Sequence, residues 1–132
     1  MEFRFKWFLS MPAAISVGAF MAMIPASMLT YRAIAANIFF SSHVRIQKDR
    51  GQIVVSKGPY SVVRHPGYAG SAAFNLLVPL ALGSWTALLP AFGAIALLVY
   101  RTNKEDCVLL AKLPGYAAYA KRVHTRLIPG VW

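Results

Sequence analysis

Two long stretches without a charged residue constrain the fold of this 132-residue chain more than any other feature. The first runs from Trp7 to Tyr31 and the second from Ser71 to Tyr100. A helix of about 20 apolar residues crosses the hydrocarbon core of a bilayer, so each stretch is long enough to span it. Charged residues make up only 14% of the chain, against about a quarter in soluble domains. The chain is therefore expected to be an integral membrane protein.

The two runs predict about three transmembrane helices. The first span covers residues 7–31 or extends to 42, because only Arg32 interrupts the uncharged sequence there. A signal peptide is rejected, since the run is too long and more apolar sequence follows it. The second run is too long for one untilted span, and Gly83-Ser84 near its middle predicts a turn. Helices over 65–82 and 85–112 would then form a hairpin.

Basic residues concentrate in the two segments that this topology places on one side of the membrane. Residues 43–64 carry five Lys or Arg, and residues 101–126 carry six. Such an excess predicts the cytoplasmic side, which is the inner face of the inner membrane in a bacterium. Within the tail, apolar residues recur at helical spacing from Tyr116 to Val123, which predicts an interfacial amphipathic helix over 114–124. The fold class is all-α, with one domain over 1–132 and a cytoplasmic loop over 43–64.

Charge and composition also exclude several classes of function. A formal net charge of +10 is compatible with nucleic acid binding, but the bases flank apolar runs instead of clustering on a polar chain. We therefore expect membrane lipids as partners and no nucleic acid. Cys107 is the only cysteine, and the three histidines lack metal-ligand spacing, so no metal site is predicted.

Two motifs lie where the apolar helices meet the basic segments. The first is Arg-His-Pro-Gly-Tyr-Ala-Gly, from Arg64 to Gly70. The second is the acidic pair Glu105-Asp106, one helical turn after Arg101. Taken singly, the first motif is a basic helix start with a favourable early proline. The second, taken singly, is an interfacial salt bridge between residues four apart on one helix.

Taken together, these motifs resemble the isoprenylcysteine carboxyl methyltransferase family and its bacterial relatives. That family carries Arg-His-Pro-x-Tyr-x-Gly, then a hydrophobic hairpin, then an acidic pair that is usually Glu-Glu. Phe39-Phe40-Ser41-Ser42 and the tail from Pro114 to Pro129 match the family as well, so the resemblance covers roughly residues 35–132. The chain departs from the pattern at Asp106, which leaves the role of that position open. Many members also have membrane helices before the first span, so further N-terminal helices or a homo-oligomer would cover its apolar faces.

The resemblance implies S-adenosylmethionine as the cofactor and a site at the membrane boundary. Arg101 matches the position that meets the acceptor, and Glu105 the one that meets the cofactor's methionine part. No residue is implied as a general acid or base, because a carboxylate acceptor is already ionised. The residues implied to bind the cofactor are Gln47, Gln52, Ile53, Val54, Val55, Tyr60, His65, Pro66, Gly67, Tyr68 and Glu105.

The implied function is methyl transfer to a lipophilic, membrane-associated acceptor, with a prenylcysteine-type acid as the leading class. Three alternatives stay open at this point. The chain could methylate a phospholipid or another amine, or it could be a sterol-reductase-like enzyme that uses NADPH. It could also be a membrane scaffold fragment without turnover.

Overall fold

The computed structural model describes residues 11–41, 46 and 48–132, and the regular secondary structure in that part of the chain is helical. Four α-helices lie within these residues: α1 Ala13–Ala36, α2 Pro66–Ala81, α3 Leu88–Lys112 and α4 Tyr116–Arg122. Two short 3₁₀ turns, Lys48–Arg50 and Gly58–Ser61, interrupt the loop between α1 and α2. No β-strand occurs among the described residues, so the all-α class is confirmed.

Helix α1 is the one helix in the described ranges that is long and apolar enough to cross a membrane. It continues past Tyr31 and Arg32 and ends at Ala36, short of the longer limit at residue 42. The side chain of Asn37 explains the stop, because its Oδ1 accepts from the backbone N–H of Phe39 at 3.0 Å. Such a local bond offers the backbone an alternative to the next helical turn.

Helices α2 and α3 form the expected hairpin, with a turn at Gly83, whose φ is +67°. The backbone N–H of Ala87 donates to Ser84 Oγ at 3.3 Å, and α3 begins at Leu88, three residues later than predicted. Helix α2 has 16 residues, which at 1.5 Å per residue is about 24 Å. That is shorter than a bilayer's hydrocarbon core of about 30 Å. The three-span topology therefore stays a prediction.

Small residues let α1 and α2 approach closely. A Cβ added at Gly70 would collide with Thr30 Oγ1 and would lie 2.8 Å from the backbone oxygen of Ala26. Ala26 and Ala33 are both buried on the face of α1 that meets α2. Close backbone approach at small residues is how helices associate in membranes. This contact sets the position of the first turn of α2, where the family motif lies.

The apolar stripe of α4 packs against protein, which corrects the expectation that it faces the membrane surface. Tyr116, Tyr119 and Val123 form one buried cluster with Leu109 and Leu113 at the end of α3. The apolar spacing does form one face of α4, but that face packs against the end of α3. Gly115, with φ +81°, makes the turn that folds α4 back onto that helix.

The tail also joins the loop before α2 through the main chain. The backbone N–H of Arg64 donates to Thr125 O at 3.0 Å, and that of His65 donates to Arg126 O at 2.9 Å. The hydroxyl of Thr125 donates to Val62 O at 3.0 Å. The two basic segments therefore meet at one end of the helices, and their cytoplasmic location remains a prediction.

Candidate active site

A small cleft of about 60 Å³ opens where the loop, the start of α2, the end of α3 and α4 converge. Residues from all four parts line it: Asn37, Phe39, Phe40, Gln52, Ile53, Val54, Val55, Tyr60, Arg64, His65, Gly67, Tyr68, Glu105, Leu109, Leu113, Tyr116 and Tyr119. The lining combines apolar and aromatic surface with a few charged groups.

The structure brings most of the implied cofactor residues together around this cleft. Those that line it are Gln52, Ile53, Val54, Val55, Tyr60, His65, Gly67, Tyr68 and Glu105. Pro66 is fully buried in the first turn of α2 and does not line the cleft, and Gln47 lies outside the described residues. Arg101 does not line the cleft either, but it contacts Tyr68, which does. Their binding roles remain predictions.

The hydroxyl of Tyr68 joins Arg101 to Glu105. It donates to Glu105 Oε2 at 2.6 Å and accepts from Arg101 Nε at 2.9 Å. The guanidinium also lies over the Tyr68 ring, 5.5 Å from its centroid. The motif tyrosine thus links a cation and an anion that the sequence places one helical turn apart on α3. This link was not predicted from the sequence.

Aromatic neighbours hold the Tyr68 ring in place. His65 stacks on it with an interplanar angle of 3° and centroids 5.8 Å apart. Phe40 meets it at a tilt, with centroids 6.3 Å apart. A Cβ at Gly67 would lie 2.8 Å from the Phe40 ring, so a larger residue there would displace that ring. The glycine and tyrosine of the motif therefore act together to shape one wall of the cleft.

Asp106 is the centre of a buried polar network behind that wall. Its side chain is fully buried and has four partners, three that donate hydrogen bonds to it and Arg64, which forms an ion pair with it. Arg64 Nη2 and Arg126 Nε lie 3.0 and 2.9 Å from Oδ2. Tyr116 Oη and His65 Nε2 lie 2.8 and 3.3 Å from Oδ1. A buried carboxylate is tolerated only when paired and hydrogen-bonded, and this one is satisfied from three separate parts of the chain.

Sequence reasoning missed this role of Asp106, although it singled the position out as a departure from the family. The available signal was the adjacency of Arg64 and His65 in the motif, which places two donors at one helix start. Tyr116 was attributed to an amphipathic stripe, and Arg126 was noted only as a tail match. Nothing in the one-dimensional spacing indicates that the tail returns to α3.

Three tyrosines complete the wall on the α4 side. Burial and the adjacent Asp106 carboxylate raise the pKa of Tyr116 above its ordinary range, so its hydroxyl stays protonated and donates. Tyr119 donates to the backbone oxygen of Tyr60 at 2.7 Å, and burial likewise raises the pKa of Tyr119. Asn37 Nδ2 donates to the hydroxyl of Tyr60 at 3.2 Å. These bonds tie α4 and the end of α1 to the loop.

Comparison with known proteins identifies the family to which the chain belongs. The model of the isoprenylcysteine carboxyl methyltransferase (ICMT) family matches residues 17–111. The chain belongs to this family. The match includes the Arg-His-Pro-x-Tyr-x-Gly motif, the hairpin and the acidic pair, so the resemblance inferred from the sequence is confirmed. ICMT membership supports a methyltransferase, and together with α1 it indicates a membrane protein.

One curated relative is the cobalt-zinc-cadmium resistance protein CzcN of Cupriavidus metallidurans. It is 37% identical over 78 residues, which cover 55% of this chain and 34% of the relative. The matched stretch therefore spans about a third of that protein's length.

Proposed function

We propose that this ICMT-family protein transfers a methyl group from S-adenosylmethionine to the carboxylate of a lipophilic, membrane-associated acceptor. The observation that carries the proposal is the Tyr68 hydroxyl, which bonds to Glu105 and Arg101 at the edge of the cleft. Glu105 suits a cationic group of the cofactor, and Arg101 suits an anionic acceptor. One tyrosine thus brings the two kinds of charge that the reaction needs to the same place.

The cleft residues fit the chemical groups of the cofactor. Its ammonium needs a charged acceptor, and Glu105 lines the cleft. Its sulfonium is a cation, which the faces of aromatic rings attract, and aromatic residues line the cleft. The apolar segment Ile53 to Val55 offers a surface for the adenine ring. When bound, S-adenosylmethionine supplies an electrophilic methyl group.

The protein's part in such a reaction is to position the acceptor and exclude water. An ionised carboxylate needs no general base, and the family resemblance implies none. Arg101 would orient it, since a guanidinium can bind a carboxylate bidentately. In-line displacement depends strongly on holding the reacting atoms in register. A prenylcysteine-type acid is the acceptor class proposed here.

The proposed setting is the cytoplasmic boundary of a membrane crossed by α1 and by the α2–α3 hairpin. Arg101 follows directly on the uncharged stretch that ends at Tyr100, so an acceptor headgroup would meet it at the edge of the bilayer. The cofactor would enter from the aqueous side, past the basic loop and tail. An apolar tail of the acceptor would remain in the lipid.

Ligand-induced stabilisation tests the cofactor, and a transfer assay tests the acceptor. Purified protein in lipid should unfold at higher temperature with S-adenosylhomocysteine, and saturation at 100 times Kd adds about 2.7 kcal/mol of stability. NADPH should have no effect. Methyl transfer is then measured on a panel of prenylated acids, amines and thiols, with turnover expected for the acids. Stabilisation by NADPH alone would replace this proposal with the reductase, and turnover of amines alone would replace the acceptor class.

A further inference from the structure

Arg101 is linked to the cleft through Tyr68. The Arg101 side chain donates to the Tyr68 hydroxyl, the hydroxyl donates to Glu105, and Glu105 lines the cleft. In such a chain each hydrogen bond polarises the next, so a change of charge at one end is felt at the other. The ring that carries the hydroxyl is held by the His65 stack and is buried. The hydroxyl is therefore a fixed junction.

A ligand bound at Glu105 changes the affinity of Arg101 for a charged group, and a ligand bound at Arg101 changes that of Glu105. A cationic group bound to Glu105 neutralises the negative charge towards which the Tyr68 hydroxyl and Arg101 are directed. Arg101 then attracts an anion more strongly. An anion bound to Arg101 correspondingly removes positive charge near Glu105 and favours a cation there. This reciprocity follows from linkage, whichever ligand binds first.

We propose that Tyr68 is a positioning residue that couples the two halves of the site, so that cofactor and acceptor bind with positive cooperativity. The proposal rests on the function proposed above, because it takes Glu105 as the cofactor end and Arg101 as the acceptor end. It also narrows the acceptor class. An anionic headgroup gains affinity once the cofactor is in place, whereas a cationic headgroup gains none.

The coupling can be measured with S-adenosylhomocysteine alone. Replacing Arg101 by alanine removes the positive charge from the far end of the chain, so the ammonium of the probe should bind Glu105 more tightly. We expect Kd to fall about fivefold or more in Arg101→Ala, the lower end of typical coupling. In the Tyr68→Phe background, which keeps the ring and loses the hydroxyl, the same substitution should change Kd by less than about twofold.

A matched control removes a positive charge from the same helix without touching the junction. Lys104 is exposed, and its Nζ lies 5.6 Å from the Tyr100 ring, so Lys104→Ala should leave Kd unchanged. Thermal unfolding establishes that each variant is folded at the titration temperature. If Tyr68→Phe does not fold, Glu105→Gln serves as the second background, and there too the effect of Arg101→Ala should vanish.

The outcomes separate this inference from the proposed function. Wild-type protein that does not bind S-adenosylhomocysteine contradicts the proposed function. Binding that Arg101→Ala leaves unchanged or weakens overturns the coupling while the cofactor assignment stands. An equal effect of Arg101→Ala with and without the Tyr68 hydroxyl shows that the hydroxyl is not the link.

Discussion

Asp106 is a single residue on which three parts of the chain depend. Its carboxylate forms an ion pair with Arg64 and accepts hydrogen bonds from His65 before α2, from Tyr116 in α4 and from Arg126 in the tail. Because the side chain is fully buried, none of these donors can be replaced by water without rearrangement. Asp106, which stands where the family usually has glutamate, is therefore part of a buried network of ion pairs and hydrogen bonds.

Replacing Asp106 by asparagine should destabilise the protein strongly. The substitution leaves two arginines, one of them buried, without their counter-charge, and breaking such a buried pair costs roughly 3–5 kcal/mol. Chemical unfolding in lipid or detergent measures the change. Asp49→Asn is the matched control, because Asp49 is exposed and should change stability by about 0.5 kcal/mol or less. Equal losses in the two variants would show that the network contributes nothing.

Glu105 should act on binding and not chiefly on stability. Glu105→Gln keeps the size of the side chain but removes the charge, so the cofactor ammonium loses a charge-assisted bond worth roughly 1.5–3 kcal/mol. Calorimetric titration of S-adenosylhomocysteine should show a rise in Kd of about tenfold or more. Wild-type affinity in this variant would remove Glu105 from the cofactor site. Asp49→Asn again provides the charge-matched comparison.

At the scale of residues, the sequence predicted which residues line the cleft better than it predicted the hydrogen bonds between them. The family resemblance implied nine of the lining residues, and four of them, His65, Gly67, Tyr68 and Glu105, lie in the two motifs that are recognisable in one dimension. The bonds of Tyr68 to two residues of α3 depend on how α2 and α3 cross, which spacing along one helix does not encode. Because the resemblance assigns Arg101 and Glu105 to different partners, it predicts no change in cofactor affinity for Arg101→Ala. The observed bridge changes that expectation.

At the scale of elements, the contact between α1 and α2 depends on one small residue. Gly70→Ala places a methyl group against Thr30 and the backbone of Ala26, so the two helices must separate. Overpacking of this kind costs about 1–3 kcal/mol. Thermal unfolding in lipid should show the loss.

Gly93→Ala is the matched control for that substitution. Gly93 lies within α3, and a Cβ there meets nothing within 4 Å. Alanine is the better helix former by about 1 kcal/mol, so this variant should be as stable as wild type or slightly more so. A loss of stability in both variants would mean that helical glycines matter here for a reason other than close packing.

The elements themselves were largely predictable, and their ends and partners were less so. The length of the second uncharged run and the turn at Gly83 predicted the α2–α3 hairpin, and the helical spacing of apolar residues predicted α4. The end of α1 depends on a side-chain bond of Asn37, which a run of uncharged residues does not reveal. The stripe on α4 has the same spacing whether it meets lipid or protein, so only the fold shows that it packs on Leu109 and Leu113.

For the whole molecule, the central prediction is topology. The loop and the tail meet at one end of the helices, and their basic residues predict that this end is cytoplasmic. Single cysteines at Ser56 and at Lys121, introduced after Cys107→Ser, should react with a membrane-impermeant thiol reagent only in inverted vesicles or broken cells. Labelling of either position in intact cells would contradict the topology.

The network around Asp106 also fixes the order in which the site can come into being. Helices α1–α3 are synthesised before α4 and Arg126, so two of the four partners of Asp106 are still missing when α3 is complete. During that interval the carboxylate has only Arg64 and His65 to pair with. We therefore expect the cleft to be completed only after the residues that follow Lys112 have been synthesised.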